Sequence, residues 1–219
     1  MNKSSKELLI EARSIAETEP DRAKKIFEDL ANSAQHDVRS DAELELAVVA
    51  YKSWRLDEAA ERAGAVLAPT AMASASAIAM AGVLLEVVHD FKDEGVDEDL
   101  LAASTTACIA VGESYMAAVG LGLRARLRLA DGERELALRL LTQAEEQYEA
   151  SGTVLGVPGV ALRLAVLHAE ERDYESADAA LARGMAHLAR FPYGGQSAKV
   201  LAQKLRAAAE GYAKRGNGQ

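Results

Sequence analysis

Hydrophobic residues recur at intervals of three and four along most of the chain, and short polar turns separate these segments. This spacing places apolar side chains on one face of a helix. Ser4 with Glu7, and Ser40 with Glu43, have the capping-box pattern that begins a helix, and Ser151-Gly152 has the pattern that ends one. The chain is thus predicted to be all-α, with about eleven helices arranged as hairpins at about 5–33, 38–68, 70–111, 113–151 and 155–190, a break at 191–195 and a last helix at 196–214.

One segment conflicts with this pattern. Between residues 119 and 129, apolar residues alternate with glycine and arginine, and a period of two normally indicates a strand. A strand would have no partner elsewhere in the sequence. A helix places Arg124 and Arg128 on one side and Arg126 nearly opposite, which leaves two apolar stripes for packing on two sides. We therefore predict a helix at about 113–130.

The hairpin pattern is clearest at residues 155–188. Its first helix is apolar on nearly every side, and its second begins near Tyr174, with Ala177, Ala180, Leu181 and Gly184 at helical spacing. The run YKSWRLDEAAERAGAVL at residues 51–67 has the same form, with Ala59 in the place of Ala177 but without a turn glycine. Both segments resemble the tetratricopeptide repeat (TPR), whose second helix needs small residues to approach the first.

The resemblance implies a right-handed superhelix, an α-solenoid of about five TPR-like hairpins and a C-terminal capping helix, formed by residues 1–219 as a single domain. It also implies that the first helix of each hairpin lines a concave groove. The partner-binding residues implied in this way are Leu44, Val48, Tyr51, Lys52, Arg126, Leu129, Leu162, Arg163, Val166 and Glu170. The alternative is that the apolar members of this set form the core between repeats.

Composition supports helices and argues against nucleic acid as a direct partner. Hydrophobic residues make up 49% of the chain but aromatic residues only 5%, which disfavours β-sheet. The net charge is −9, and it is uneven: residues 1–110 contain 21 acidic and 11 basic residues, whereas residues 111–219 contain 13 and 14. An acidic chain lacks the basic surface that is typical of nucleic-acid binding.

No motif predicts catalysis, a metal site or a cofactor. The four histidines are scattered without the spacing of metal ligands, and Ser114 and Ser197 lack the motif of a nucleophile. Cys108, the single cysteine, lies in an apolar run and is expected to be a buried thiol. We therefore expect a protein that is not an enzyme.

The N-terminal residues lack an apolar segment long enough for a signal peptide, since charges return at Glu11 and Arg13. Residues 64–85 carry no charge, but Pro69 interrupts them and alanine and serine dominate, so we expect a central helix of the solenoid and no membrane span. A cytoplasmic location is expected.

Two functions follow from the resemblance. The first is a scaffold or adaptor that binds a peptide or amphipathic helix of another protein in the groove. The second is a ligand-sensing regulatory module, because the repeats resemble the helical domains of bacterial transcriptional regulators. The sequence is also compatible with a homodimer.

Overall fold

The computed structural model describes residues 3–191 and 195–216, and about 81% of them are helical. The described residues form an all-α fold without strands. Residues 192–194 of the predicted break lie outside the described ranges. The eleven helices are α1 (Ser5–Ile15), α2 (Pro20–Ala31), α3 (His36–Lys52), α4 (Leu56–Leu67), α5 (Ala75–Phe91), α6 (Glu98–Val111), α7 (Ser114–Ala130), α8 (Arg134–Ser151), α9 (Gly156–Glu170), α10 (Tyr174–Ala189) and α11 (Gly195–Gly216).

The alternating segment is helical, as predicted. Within α7, Leu121, Leu123 and Ala125 are buried, whereas Arg126 is exposed. A helix satisfies its own backbone hydrogen bonds, whereas a strand needs a neighbour to accept and donate them. The helix therefore forms although the period of its side chains is closer to that of a strand.

Two capping predictions have different outcomes. Ser4 and Glu7 form the predicted capping box at the start of α1. The prediction for Ser40 and Glu43 is wrong, because Ser40 lies inside α3, where its buried hydroxyl donates a hydrogen bond of 2.8 Å to the carbonyl of Ala71. The Ser-x-x-Glu pattern therefore does not distinguish a serine that caps a helix from a serine inside a helix that makes a tertiary hydrogen bond.

The chain divides into two compact units, Met1–Met116 and Ala117–Gln219. In the first unit each helix packs on the next from α1 to α6, and α3 also contacts α1 and α5. One core surrounds Phe27, and a second joins α3, α4 and α5 around Leu44 and Leu84. Helices α5 and α6 approach closely, since a Cβ on Gly82 would lie 2.8 Å from the Cβ of Ser104.

In the second unit, one core joins residues of α7, α8, α9, α10 and α11, among them Leu121, Leu141, Leu164, Leu181 and Leu205. Close packing of α9 on α10 depends on Gly184, because a Cβ there would lie 2.9 Å from the Cβ of Ala161. Gly152 has a φ of 69° and ends α8 as predicted. The prediction of one domain over residues 1–219 stays a prediction.

None of the helices in the described ranges is long and apolar enough to cross a lipid bilayer.

Candidate binding cleft in the second unit

A solvent-accessible cleft of about 500 Å³ lies in the second unit. Its apolar floor consists of Ala125, Leu141 and Leu167, all buried in the unit's core. Leu129 and Val166 are 36% and 40% exposed, so they present apolar surface at the opening. The full lining is Gly122, Ala125, Arg126, Leu129, Leu141, Leu162, Arg163, Val166, Leu167 and Glu170.

The cleft exists because two helices contribute small and apolar residues to the same side. Gly122 and Ala125 lie one turn apart on α7, and Leu162 and Val166 lie one turn apart on α9. Residues three and four apart share a helical face, so each helix lines the cleft over at least two turns. The missing side chain at Gly122 leaves room that a larger residue would fill.

Arg163 is the cation that the cleft offers to a ligand. A Cβ built on Gly122 would lie 3.9 Å from Nη1 of Arg163, so the guanidinium extends from α9 toward α7. Within the described part of the chain, Arg163 makes no hydrogen bond and no ion pair. A guanidinium has five N–H donors in a planar fork, and a carboxylate is the group that matches it best.

Glu170, at the end of α9, carries a charge that the protein already compensates. Its Oε2 lies 2.8 Å from Nη1 of Arg134, at the start of α8, and Arg134 also donates to the carbonyl oxygen of Leu167. The hydrogen bond that Arg134 donates to Glu170 raises the pKa of Arg134, with Glu171 adding to the effect. Because Arg134 neutralises Glu170, the cleft does not repel an anionic ligand at this end.

Six of the ten predicted partner-binding residues line this cleft together: Arg126, Leu129, Leu162, Arg163, Val166 and Glu170. The other four, Leu44, Val48, Tyr51 and Lys52, belong to α3 in the first unit.

The four residues on α3 differ in their surroundings. Leu44 is only 2% exposed and lies in the core, where no partner could touch it without unfolding the helix pair. Val48 and Tyr51 are half-buried against the same core, and Lys52 is exposed. The resemblance assigned Leu44 to the groove, whereas the structure places its side chain in the core.

Sequence reasoning did not assign the cleft floor or one surface feature. Leu141 and Leu167 follow ordinary core periodicity, so nothing in the sequence marked them as the floor of a cavity. The exposed ring pair of Trp54 and Phe91 was also missed, although a tryptophan at a turn position that usually takes glycine was a signal.

Comparison with known proteins gives a likeness of fold. No family model matches the sequence, and no curated protein matches it. A solved structure with a similar fold is the crystal structure of BtubC (BKLC) from P. vanneervenii, with a TM-score of 0.51 and 18% sequence identity. The match covers 98% of this chain and 90% of that chain. At this identity the likeness concerns the fold alone.

Proposed function

We propose that the second unit is a non-catalytic protein-binding module whose cleft receives the apolar face of an amphipathic helix that carries a carboxylate. The observation that supports this most directly is the combination of an open apolar cleft with the unpaired guanidinium of Arg163. An amphipathic helix in an apolar groove is a recurrent mode of peptide recognition. As an adaptor, the protein would work in the cytoplasm, as the sequence pattern leads us to expect.

Burial supplies most of the affinity in this proposal. Leu129, Leu162 and Val166 keep part of their apolar surface in water, and covering that surface contributes roughly 25 cal/mol per Å². The ion pair with Arg163 contributes less, about 0–1 kcal/mol, because the guanidinium is exposed. The charge therefore determines the direction of the bound helix more than the strength of binding.

We also propose that the hairpins stack as TPR-like units in a right-handed superhelix. Contacts between α1 and α3, between α3 and α5, and between α9 and α11 support this, because they join alternate helices of the chain. Such contacts are what stacked hairpins require, in addition to contacts between consecutive helices. The small packing residues Ala59 and Ala177, both fully buried, fit the same architecture.

A second candidate function is the sensing of a small amphiphilic carboxylate. The cleft volume of about 500 Å³ lies within the usual range for small-molecule sites, roughly 300–1,000 Å³. The apolar tail of such a ligand would pack on Leu162 and Val166, and its carboxylate would pair with Arg163. Such a module would need a separate output partner.

A phage-displayed library of helical peptides tests the first function. Peptides are selected on the wild-type protein and then assayed on Gly122→Leu, whose side chain would occupy the cleft. The matched control is Gly159→Leu on α9, since a Cβ at that glycine has no neighbour within 4 Å. We expect enrichment of peptides with an apolar stripe and an acidic residue, with binding lost in Gly122→Leu and kept in Gly159→Leu.

Two results would contradict the proposal. One is a selection that enriches no peptide, and the other is a set of peptides that bind Gly122→Leu as tightly as the wild type. If medium-chain fatty acids raise the Tm of the wild type but not of Gly122→Leu while no peptide is enriched, the sensing function replaces the adaptor.

A further inference from the structure

Two exposed aromatic rings, Trp54 and Phe91, and the half-buried ring of Tyr51 form a cluster at one end of the α3–α4 and α5–α6 hairpins in the first unit; we call it the aromatic patch. The rings of Trp54 and Phe91 lie edge to face with centroids 5.6 Å apart, and Tyr51 lies 6.0 Å from Phe91. Trp54 is 72% exposed and Phe91 is 50% exposed. Burial of the core does not require either ring to be so exposed, so the patch calls for another explanation.

The backbone at Trp54 has a conformation that costs a tryptophan free energy, and Asp93 and Arg172 have the same conformation after α5 and α9. Trp54 has a φ of 58°, in the left-handed region that favours glycine, and it directly follows Ser53, the C-cap of α3. Glycine occupies this conformation at Gly132 and Gly152, where two other helices end. The chain thus carries the free-energy cost of a left-handed tryptophan while leaving most of that side chain in water.

The charges around the patch determine which partner fits it. Lys92, the residue after Phe91, has its Nζ at 2.7 Å from Asp57 and 2.6 Å from Glu94, so two carboxylates neutralise one cation. Asp93 is exposed beside them. The other cations are Lys52, beside Tyr51, and Arg55, which follows Trp54 and pairs with Glu58. Carboxylates still outnumber cations around the patch.

The same balance holds for the whole unit, which has 22 acidic and 11 basic residues between positions 1 and 116. A surface of this charge repels nucleic acid and anionic lipid and attracts cations. The complement of an acidic surface that presents aromatic faces is a cation that can stack on them.

We propose that the aromatic patch docks an arginine-containing segment of a partner protein, with a guanidinium stacked on the face of Trp54 and the neighbouring carboxylates attracting its charge. Arginine fits better than lysine because its planar guanidinium both stacks on an aromatic face and is weakly hydrated. Exposed tryptophan, tyrosine and arginine are also the residues that contribute most to protein–protein affinity. This site lies on the first unit, so it does not depend on the function proposed for the cleft.

The test uses the full chain and three labelled peptides of alternating arginine and glycine, lysine and glycine, or glutamate and glycine. Fluorescence anisotropy measures their affinities. Trp54 is the single tryptophan of the chain, so its intrinsic fluorescence reports independently on contact with the patch. We expect the arginine peptide to bind best, to change the fluorescence of Trp54, and to retain part of its affinity at 0.5 M salt.

Two variants separate stacking from general electrostatic attraction. Trp54→Gly keeps every charge and suits a φ of 58°, so it should fold with an unchanged or higher Tm and bind the arginine peptide about three- to tenfold more weakly. Ile10→Ala is the control, because Ile10 is 66% exposed on α1 in the same unit and makes no part of the patch. It should bind as the wild type does.

Four outcomes would overturn the proposal: no binding of the arginine peptide, equal binding of the lysine peptide, unchanged binding by a folded Trp54→Gly, or a wild-type dimer that Trp54→Gly converts to a monomer. The last outcome, measured by sedimentation, would mean that a second copy of this chain covers the patch.

Discussion

The two units are built from similar helical hairpins, but they leave different surfaces exposed. The first unit is acidic, and its exposed apolar surface includes the aromatic patch at the ends of α3 and α5. The second unit contains 14 basic and 12 acidic residues between positions 117 and 219, and its exposed apolar surface lines a cleft between α7 and α9. Similar helical hairpins can therefore present an aromatic patch in one unit and an apolar cleft in the other, with net charges of opposite sign.

Small changes in side-chain size account for the difference in shape. On α3 the apolar positions Leu44, Val48 and Tyr51 pack against the core of the first unit. On α7, Gly122 and Ala125 occupy positions where larger residues would fill the space, and a cleft remains. The two units should therefore respond differently to substitutions.

The largest effect is expected from truncation of one core residue in each unit. Phe27 and Leu181 are 1% and 0% exposed, one in each unit. Phe27→Ala should lower the free energy of unfolding by about 3–5 kcal/mol and Leu181→Ala by about 2–5 kcal/mol, because each leaves a cavity. Urea unfolding followed by circular dichroism measures both, and a loss below about 1 kcal/mol for either variant would contradict the assigned core.

A smaller effect is expected from overpacking of α9 against α10. Gly184→Leu should destabilise the protein by about 1–3 kcal/mol, because the new Cβ would already lie 2.9 Å from Ala161. Gly64→Ala, in the first unit, is the control: no atom lies within 4 Å of its new Cβ, and alanine favours a helix by up to about 1 kcal/mol. Measured by thermal unfolding, the Tm of Gly184→Leu should be lower than that of the wild type, and the Tm of Gly64→Ala should be higher. Equal shifts would contradict the close approach of α9 and α10.

The loop between α5 and α6 depends on a buried carboxylate. Glu86 is 1% exposed, and its Oε2 accepts a hydrogen bond of 2.7 Å from the backbone N–H of Asp97. Glu86→Ala should lower the free energy of unfolding by about 1–3 kcal/mol, because the backbone N–H of Asp97 loses its acceptor. Glu86→Gln keeps an acceptor and should lower it less. Chemical denaturation checks both. In the second unit, Arg183→Ala should lower the free energy of unfolding by about 1–3 kcal/mol, because Arg183 is half exposed but the Glu145 carboxylate that it pairs with is only 11% exposed and loses its partner.

The smallest effect concerns pH and the single cysteine. Burial raises the pKa of the Cys108 thiol from 9.0 to about 12, so the folded protein holds the proton more tightly than the unfolded chain does. The contribution of this group to stability is therefore complete below pH 9 and declines as the pH rises from 9 toward 12.

Labelling with a thiol reagent at pH 8 checks the thiol. We expect the native protein to react slowly, and to react at the rate of a free thiol once it is denatured. Because Cys108 lies in the first unit, the labelling rate reports on opening of that unit. Fast labelling of the native protein would contradict its burial.

The sequence was sufficient to predict the all-α class and the succession of helices. Apolar spacing located all eleven helices of the described ranges, and α7 was predicted as a helix because a strand would have no partner. The Ser40 prediction failed because its hydrogen-bond acceptor, Ala71, lies 31 residues away and is not visible in a local pattern.

The sites were harder to predict than the fold. The resemblance to TPR proteins named six residues that line one cleft, but it could not separate Leu44, which is fully packed, from Val166, which is exposed on an equivalent helix. Periodicity gives the buried face of a helix, whereas exposure within that face depends on the size of neighbours on other helices, such as Gly122. The aromatic patch was missed because Phe91 and Trp54 are 37 positions apart and meet only in the folded unit.

Hydrogen–deuterium exchange with a library-selected acidic helical peptide tests the central claim most directly, because it locates the bound surface without a substitution. The account predicts slower exchange in residues 122–129 and 162–170 when the peptide is bound, and unchanged exchange in residues 44–52. Slower exchange confined to residues 44–52, or no change in either helix that lines the cleft, would contradict it.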